Sequence, residues 1–166
     1  MSAVFTVCGL AALAFAAAIT LFLCLSGIPA IREIGFFKFI LGKVWNPTGA
    51  EPAYGILPFI LSSVYGTLGA VVLGVPMGIL CAAYMAKAAP RPIAAALSEA
   101  VNLLSGIPSV VYGLVGMIVL VPAVRNVFGL PDGASLFAAI LVLAIMILPS
   151  VISVSETAIK AVPREY

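Results

Sequence analysis

The sequence predicts an all-α fold, a polytopic transmembrane helical bundle, on three observations. Hydrophobic residues fill 64% of its 166 positions and charged residues only 8%, against about 25% charged in an average soluble domain. The apolar residues gather into four long runs, at about 4–28, 57–85, 101–121 and 135–154, each near the roughly 20 residues needed to cross about 30 Å of hydrocarbon as a helix. Charged residues fall between the runs rather than within them. The net charge of +2 is small and the eight Lys and Arg are scattered, which gives no basic patch for a nucleic-acid partner.

The first run, Val4 to Ile28, carries no charge. No positive residue precedes it and it exceeds the roughly 7–15 apolar residues of a secretory signal core, so it reads as a span that is kept. Residues 29–56 change character, with Arg32, Glu33, Lys38, Lys43, Trp45 and Glu51, and Asn46-Pro47-Thr48-Gly49 has turn chemistry. Within them Gly35 to Leu41 (G-F-F-K-F-I-L) suits a short amphipathic helix at the membrane surface, aromatic rings at headgroup depth and Lys38 reaching water.

The second run is rich in small residues, and Gly74 and Gly78 are spaced to admit a neighbouring helix. The third contains Ser105 to Leu114, S-G-I-P-S-V-V-Y-G-L, an unusually polar stretch for an apolar run. Read as one helix of about 100° per residue, it collects Asn102, Ser105, Gly106, Ser109, Tyr112, Gly113 and Gly116 on one face. That face either packs against another helix or lines a solute path. On this reading Gly113→Leu harms the protein more than Leu114→Ile. Pro76, Pro108 and Pro149 each remove a backbone donor from inside a run, so three bends are expected; a bundle that opens and closes has use for them. After the fourth run polarity returns with Glu156, Lys160, Pro163, Arg164 and Glu165.

Enzymatic chemistry finds no support. There is no histidine to serve as base for a serine nucleophile, Asp132 is the only aspartate, and no G-x-x-x-x-G-K-[ST] occurs. Cys8, Cys24 and Cys81 lie in apolar runs without a C-x-x-C pair, so no metal site is expected. Two V-Y-G triplets, at Val64–Gly66 and Val111–Gly113, lack the further glycine of a potassium filter, which keeps a channel-like subunit only as an alternative. Basic charge is divided four and four between the two faces that four spans define, the shorter segments favouring a cytoplasmic 86–98 and 155–166.

Four segments resemble the permease subunit of phosphate ABC importers, of the PstC type. They are F-F-K-F-I-L-G-K-V-W-N-P (Phe36–Pro47) with Y-G-I-L-P-F-I (Tyr54–Ile60), G-I-P-S-V-V-Y-G-L (Gly106–Leu114), L-A-I-M-I-L-P (Leu143–Pro149) and A-V-P-R-E-Y (Ala161–Tyr166). The resemblance implies a type I ABC importer permease with six spans, four of them present here, in a bacterial inner membrane with its N-terminus cytoplasmic and 29–56 outside. It implies a second permease, two ATPase subunits that use the ATP, and an external phosphate-binding protein, with no cofactor bound by this chain. Glu156, Lys160, Pro163, Arg164 and Glu165 would then approach the loop that docks into the ATPase. That loop's E-A-A-x-x-x-G pattern does not follow Tyr166, so the chain is similar to the N-terminal part of such a permease and is expected not to couple to an ATPase as it stands. A permease for another small anion is the alternative, since no residue here is an identifiable phosphate ligand and no Lys or Arg lies within the four runs to mark a path for any anion.

Overall fold

The computed structural model describes residues 2–162, nearly all of them helical, in two compact units, 1–61 and 62–166. Pro163, Arg164 and Glu165 lie outside the described residues. Four helices are long and apolar enough to cross a membrane: Ala3–Ile34, Leu57–Ala88, Ser109–Phe128 and Leu136–Ala161.

In the first unit α1 (Ser2–Ile34) continues straight through Pro29, where the sequence reading ended the first span. A proline inside a helix removes only one bond and is tolerated in membrane helices when neighbours re-satisfy the freed carbonyl. Nearly every side chain of α1 is exposed, as suits a helix that meets lipid or another membrane helix. Gly35, at φ +90°, turns the chain into the short α2 (Phe36–Leu41), a backbone conformation that glycine adopts without a Cβ penalty. The helix expected over 35–41 is present, with Phe36 and Phe37 exposed and edge to face at 5.6 Å.

A small antiparallel hairpin follows, β1 (Trp45–Asn46) against β2 (Ala53–Tyr54), pairing Trp45 with Tyr54 across the turn that the N-P-T-G segment signals. Trp45 packs edge-on against Tyr54 and Phe59. At the base of the hairpin the backbones of Gly42 and Gly55 cross with no room for a Cβ on either. The crossing is tied by Gly55 N–H to the Val44 carbonyl (2.9 Å), Ile56 N–H to Phe39 (2.9 Å) and Leu57 N–H to Gly42 (3.1 Å). These bonds account for backbone groups that a loop near hydrocarbon cannot leave unpaired.

The second unit is built on one seam. α3 (Leu57–Ala83) presents Gly66, Ala70, Gly74, Gly78 and Ala82, all buried and spaced by four, so they stack on one side of the helix. α7 (Leu136–Ala161) lies against them. A Cβ at Gly74 would stand 2.7 Å from Ile147 Cδ1 and 3.1 Å from the Ala144 carbonyl oxygen, and one at Gly78 would stand 2.6 Å from Val151 Cγ1. In lipid no water is expelled when helices meet, so close backbone approach and dispersion hold the pair. The Gly74–Gly78 spacing is legible in the sequence; the fold extends it over five positions.

α3 ends in a π-helical turn, Tyr84–Ala88, closed by Ala89 N–H to the Tyr84 carbonyl at 2.8 Å, before Pro90 stops the chain. α4 (Arg91–Ser105) then packs against that turn and α7, putting Val101 with Ala82, Met85 and Ile152 in a small buried core flanked by Leu97, Leu148 and Ile159. α5 (Ser109–Val115), a π-helical turn at Gly116–Leu120 and α6 (Val121–Phe128) make one apolar run. Gly129, at φ +61°, closes α6, the left-handed cap that glycine supplies. Ser135 opens α7 by accepting the Ala138 N–H at 3.3 Å.

Two expectations about the third span are corrected here. The reading of one helix over about 101–121 is replaced by two, because Ser105-Gly106-Ile107-Pro108 interrupts it. Proline disfavours helical backbone in the residue before it and cannot donate to position i−4. Pro108 therefore caps α5 from outside, with extended φ −59° and ψ 142°, rather than bending a continuous helix. Pro76 and Pro149 do lie inside α3 and α7. The apolar third helix accordingly runs from Ser109 to Phe128, and α4 is an amphipathic helix of 15 residues, about 22 Å and too short to span by itself.

Candidate functional site

The seven residues of the expected polar face lie on three elements and in the break between two of them, so the single-helix wheel does not describe them. Asn102 and Ser105 sit on α4, Gly106 in the break, Ser109, Tyr112 and Gly113 on α5, and Gly116 in the π-helical turn. Their environments differ as well. Gly116 is buried, and a Cβ there would stand 2.5 Å from Val142 Cγ2 of α7, so this glycine is a point of close approach between the third apolar helix and α7. At Gly113 a Cβ would meet nothing within 4 Å. The expectation that Gly113 is the more sensitive position is therefore not supported by contacts in this chain; Gly116 takes that place.

Carbonyl groups at the end of α4 are satisfied one by one. Gly106 N–H reaches the Asn102 and Leu103 oxygens at 3.2 and 3.1 Å, Ile107 N–H reaches Leu104 at 3.2 Å, and the Ser105 hydroxyl donates back to Val101 at 2.9 Å. The Tyr112 hydroxyl crosses the break to donate to the Leu104 carbonyl at 2.8 Å. Val111 N–H, in turn, bonds the Pro108 carbonyl at 2.9 Å and starts α5. The break is thus a hydrogen-bonded structure rather than a loose loop.

On its α7 side the break opens into a groove of about 200 Å³ lined by Leu104, Ser105, Ile107, Ser109 and Tyr112 with Met146, Pro149 and Ser150. Four hydroxyls meet there in an otherwise apolar setting. The charged oxygens of an anion accept hydrogen bonds, so a hydroxyl with an uncommitted proton can serve them as a donor. Ser105 and Tyr112 have spent theirs on Val101 and Leu104. The Ser109 and Ser150 hydroxyls make no hydrogen bond among the described residues, which makes them the donors available to a solute. Ser150 was missed at the level of sequence, although its place directly after Pro149 in the fourth run was a usable signal. Among the described residues no group of three or more metal-ligating side chains occurs.

Glu156 and Lys160 lie one turn apart on the last part of α7 and form an ion pair of 2.6 Å with Lys160 well exposed. A pair of that kind at the surface contributes about 0.3–0.5 kcal/mol.

The chain is 38% identical to the probable ABC transporter permease protein YqgH of Bacillus subtilis, over 96% of the chain and 52% of that protein. It is 32% identical to the phosphate transport system permease protein PstC of Mesorhizobium japonicum, over 81% of the chain and 46% of that protein. This chain is a homologue of ABC transporter permeases of the PstC type. The PstC of Haemophilus influenzae is 30% identical over 89% of the chain. The chain spans about half the length of the curated relatives it matches. No protein-family model and no solved structure matches it. With four apolar helices and permeases as homologues, this is a multi-pass membrane protein.

Proposed function

We propose that this chain is part of the membrane-spanning permease of an ATP-driven phosphate importer. The carrying observation is its similarity, over four-fifths or more of its length, to permeases whose names specify phosphate transport. On this reading the chain forms the path together with a second permease, separate ATPase subunits use the ATP and move the pair, and an external phosphate-binding protein delivers the solute. No cofactor is held by the chain itself. The groove at the α4–α5 break contributes Ser109 and Ser150 as donors to the phosphate oxygens, and Glu156 and Lys160 stand on the approach to the surface that meets the ATPase.

Uptake of radiolabelled phosphate tests the substrate. The full-length protein, restored to a cell lacking its own phosphate permease, is expected to support ATP-dependent uptake that excess unlabelled phosphate abolishes and excess sulfate or molybdate leaves intact. Competition by sulfate or molybdate equal to that of phosphate assigns another small anion. Uptake that survives depletion of ATP points to a channel-like subunit.

The proposed placement is the bacterial plasma membrane with the N-terminus cytoplasmic and the hairpin outside, supported by basic residues in the shorter segments. In a background with Cys8, Cys24 and Cys81 replaced by alanine, Thr48→Cys is expected to react with a membrane-impermeant maleimide in intact cells. Lys87→Cys should react only after permeabilisation. Labelling in the opposite order inverts the topology.

A further inference from the structure

We propose that the Tyr112 hydroxyl is the latch of a hinge at the α4–α5 break, standing in for the backbone donor that Pro108 lacks. In a continuous helix the carbonyl of residue 104 accepts the N–H of residue 108. Position 108 is proline and has no N–H, so continuing the helix would leave the Leu104 carbonyl short of its partner. The group that reaches that same oxygen is the Tyr112 hydroxyl, at 2.8 Å, from one turn beyond the proline. The second lone pair is taken by Ile107 N–H at 3.2 Å.

The bond has the attributes of a latch. It joins a side chain of α5 to the backbone of α4, in addition to the bonds that the Ile107 and Val111 amides make to Leu104 and Pro108. The two sides it joins are anchored differently. α4 is held by Val101 in the core with Ala82, Met85 and Ile152, while the third apolar helix touches α7 through Gly116 against Val142. The break at 106–108 is the point at which the angle between α4 and α5 can change. The groove with Ser109 and Ser150 shares Leu104 and Tyr112 as walls, so its width follows the latch. This holds for the break itself and does not depend on which solute is carried.

Distance measurements across the break test the latch. Spin labels at Ala96 and Val119, one on each side, in the cysteine-free full-length protein in lipid nanodiscs, are expected to give one narrow distribution. Tyr112→Phe keeps the ring and removes one oxygen; it should raise the population at a second distance about tenfold, the effect of losing a single hydrogen bond of ordinary strength. Pro108→Ala restores a donor for Leu104, and in that background Tyr112→Phe should have no further effect. A Tyr112→Phe distribution that superimposes on the parent, or a shift of equal size with and without Pro108→Ala, overturns the proposal. If Tyr112→Phe does not accumulate, 3-fluorotyrosine at position 112 retains the hydroxyl. Its fluorine resonance should move when Pro108→Ala is introduced, and a resonance that stays in place overturns the latch equally. Since these readouts involve no transport, failure of the latch and failure of the phosphate reading are separable.

Discussion

Gly74→Leu is expected to force α3 away from α7 and to destabilise the second unit by about 1–3 kcal/mol or more, the usual range for overpacking a close contact. The site has little means to relax. A Cβ there would already stand 2.7 Å from Ile147 Cδ1, which a rotamer change relieves, but also 3.1 Å from the Ala144 carbonyl oxygen, which moves only with the helix. Gly78→Leu meets Val151 at both Cγ1 and Cβ, 2.6 and 2.9 Å away, and should add to the loss. Gly113→Leu is the control, since nothing lies within 4 Å of its Cβ position, and its cost should stay within about 0.5 kcal/mol. Thermal unfolding of the purified proteins in nanodiscs separates the two. Equal midpoints for Gly74→Leu and Gly113→Leu would show that the stripe from Gly66 to Ala82 is not the packing seam.

The second large effect concerns transport. Ser109→Ala combined with Ser150→Ala is expected to lower phosphate uptake by the full-length protein about tenfold or more while leaving its unfolding midpoint in place. A hydrogen bond to a charged group contributes about 1.5–3 kcal/mol, and these hydroxyls have no partner among the described residues whose loss would weaken the fold. Ser105→Ala is the comparison. Its proton is committed to the Val101 carbonyl, so uptake should change little. If Ser105→Ala and the double variant reduce uptake alike, the groove acts through packing and not through donors to the anion.

Both effects turn on residues whose types were visible from the start, and what could be read from them differed. The apolar runs were legible because a span needs length and hydrophobicity, and both are properties of consecutive residues. Gly74 and Gly78 were legible as a close-approach pair for a related reason: a spacing of four is itself a statement about one helix face. The turn at Asn46–Gly49 and the short helix after Gly35 were likewise carried by local backbone preferences.

The face around Tyr112 was not legible, and the cause is the assumption of one continuous helix. Once Ser105-Gly106-Ile107-Pro108 breaks the chain, residues three and four apart on either side no longer share a face, and the periodicity argument loses its basis. Proline gave an ambiguous signal, because Pro29, Pro76 and Pro149 sit inside helices while Pro108 stands just before one, at the break. The difference lies in the neighbours, with Ser105 and Gly106 just before Pro108 and a tyrosine placed to supply the missing donor.

The sequence by itself determined that this is an all-α membrane protein with four apolar helices, and its motifs pointed to the PstC-type permeases among which its homologues lie. Only the tertiary structure decided which small residues form the α3–α7 seam, that Gly116 and not Gly113 meets α7, and which two of the four hydroxyls at the break keep a proton to donate. The physical reason is that hydropathy and spacing act along the chain, whereas a close contact or a committed hydrogen bond depends on which atoms the fold brings together from distant positions.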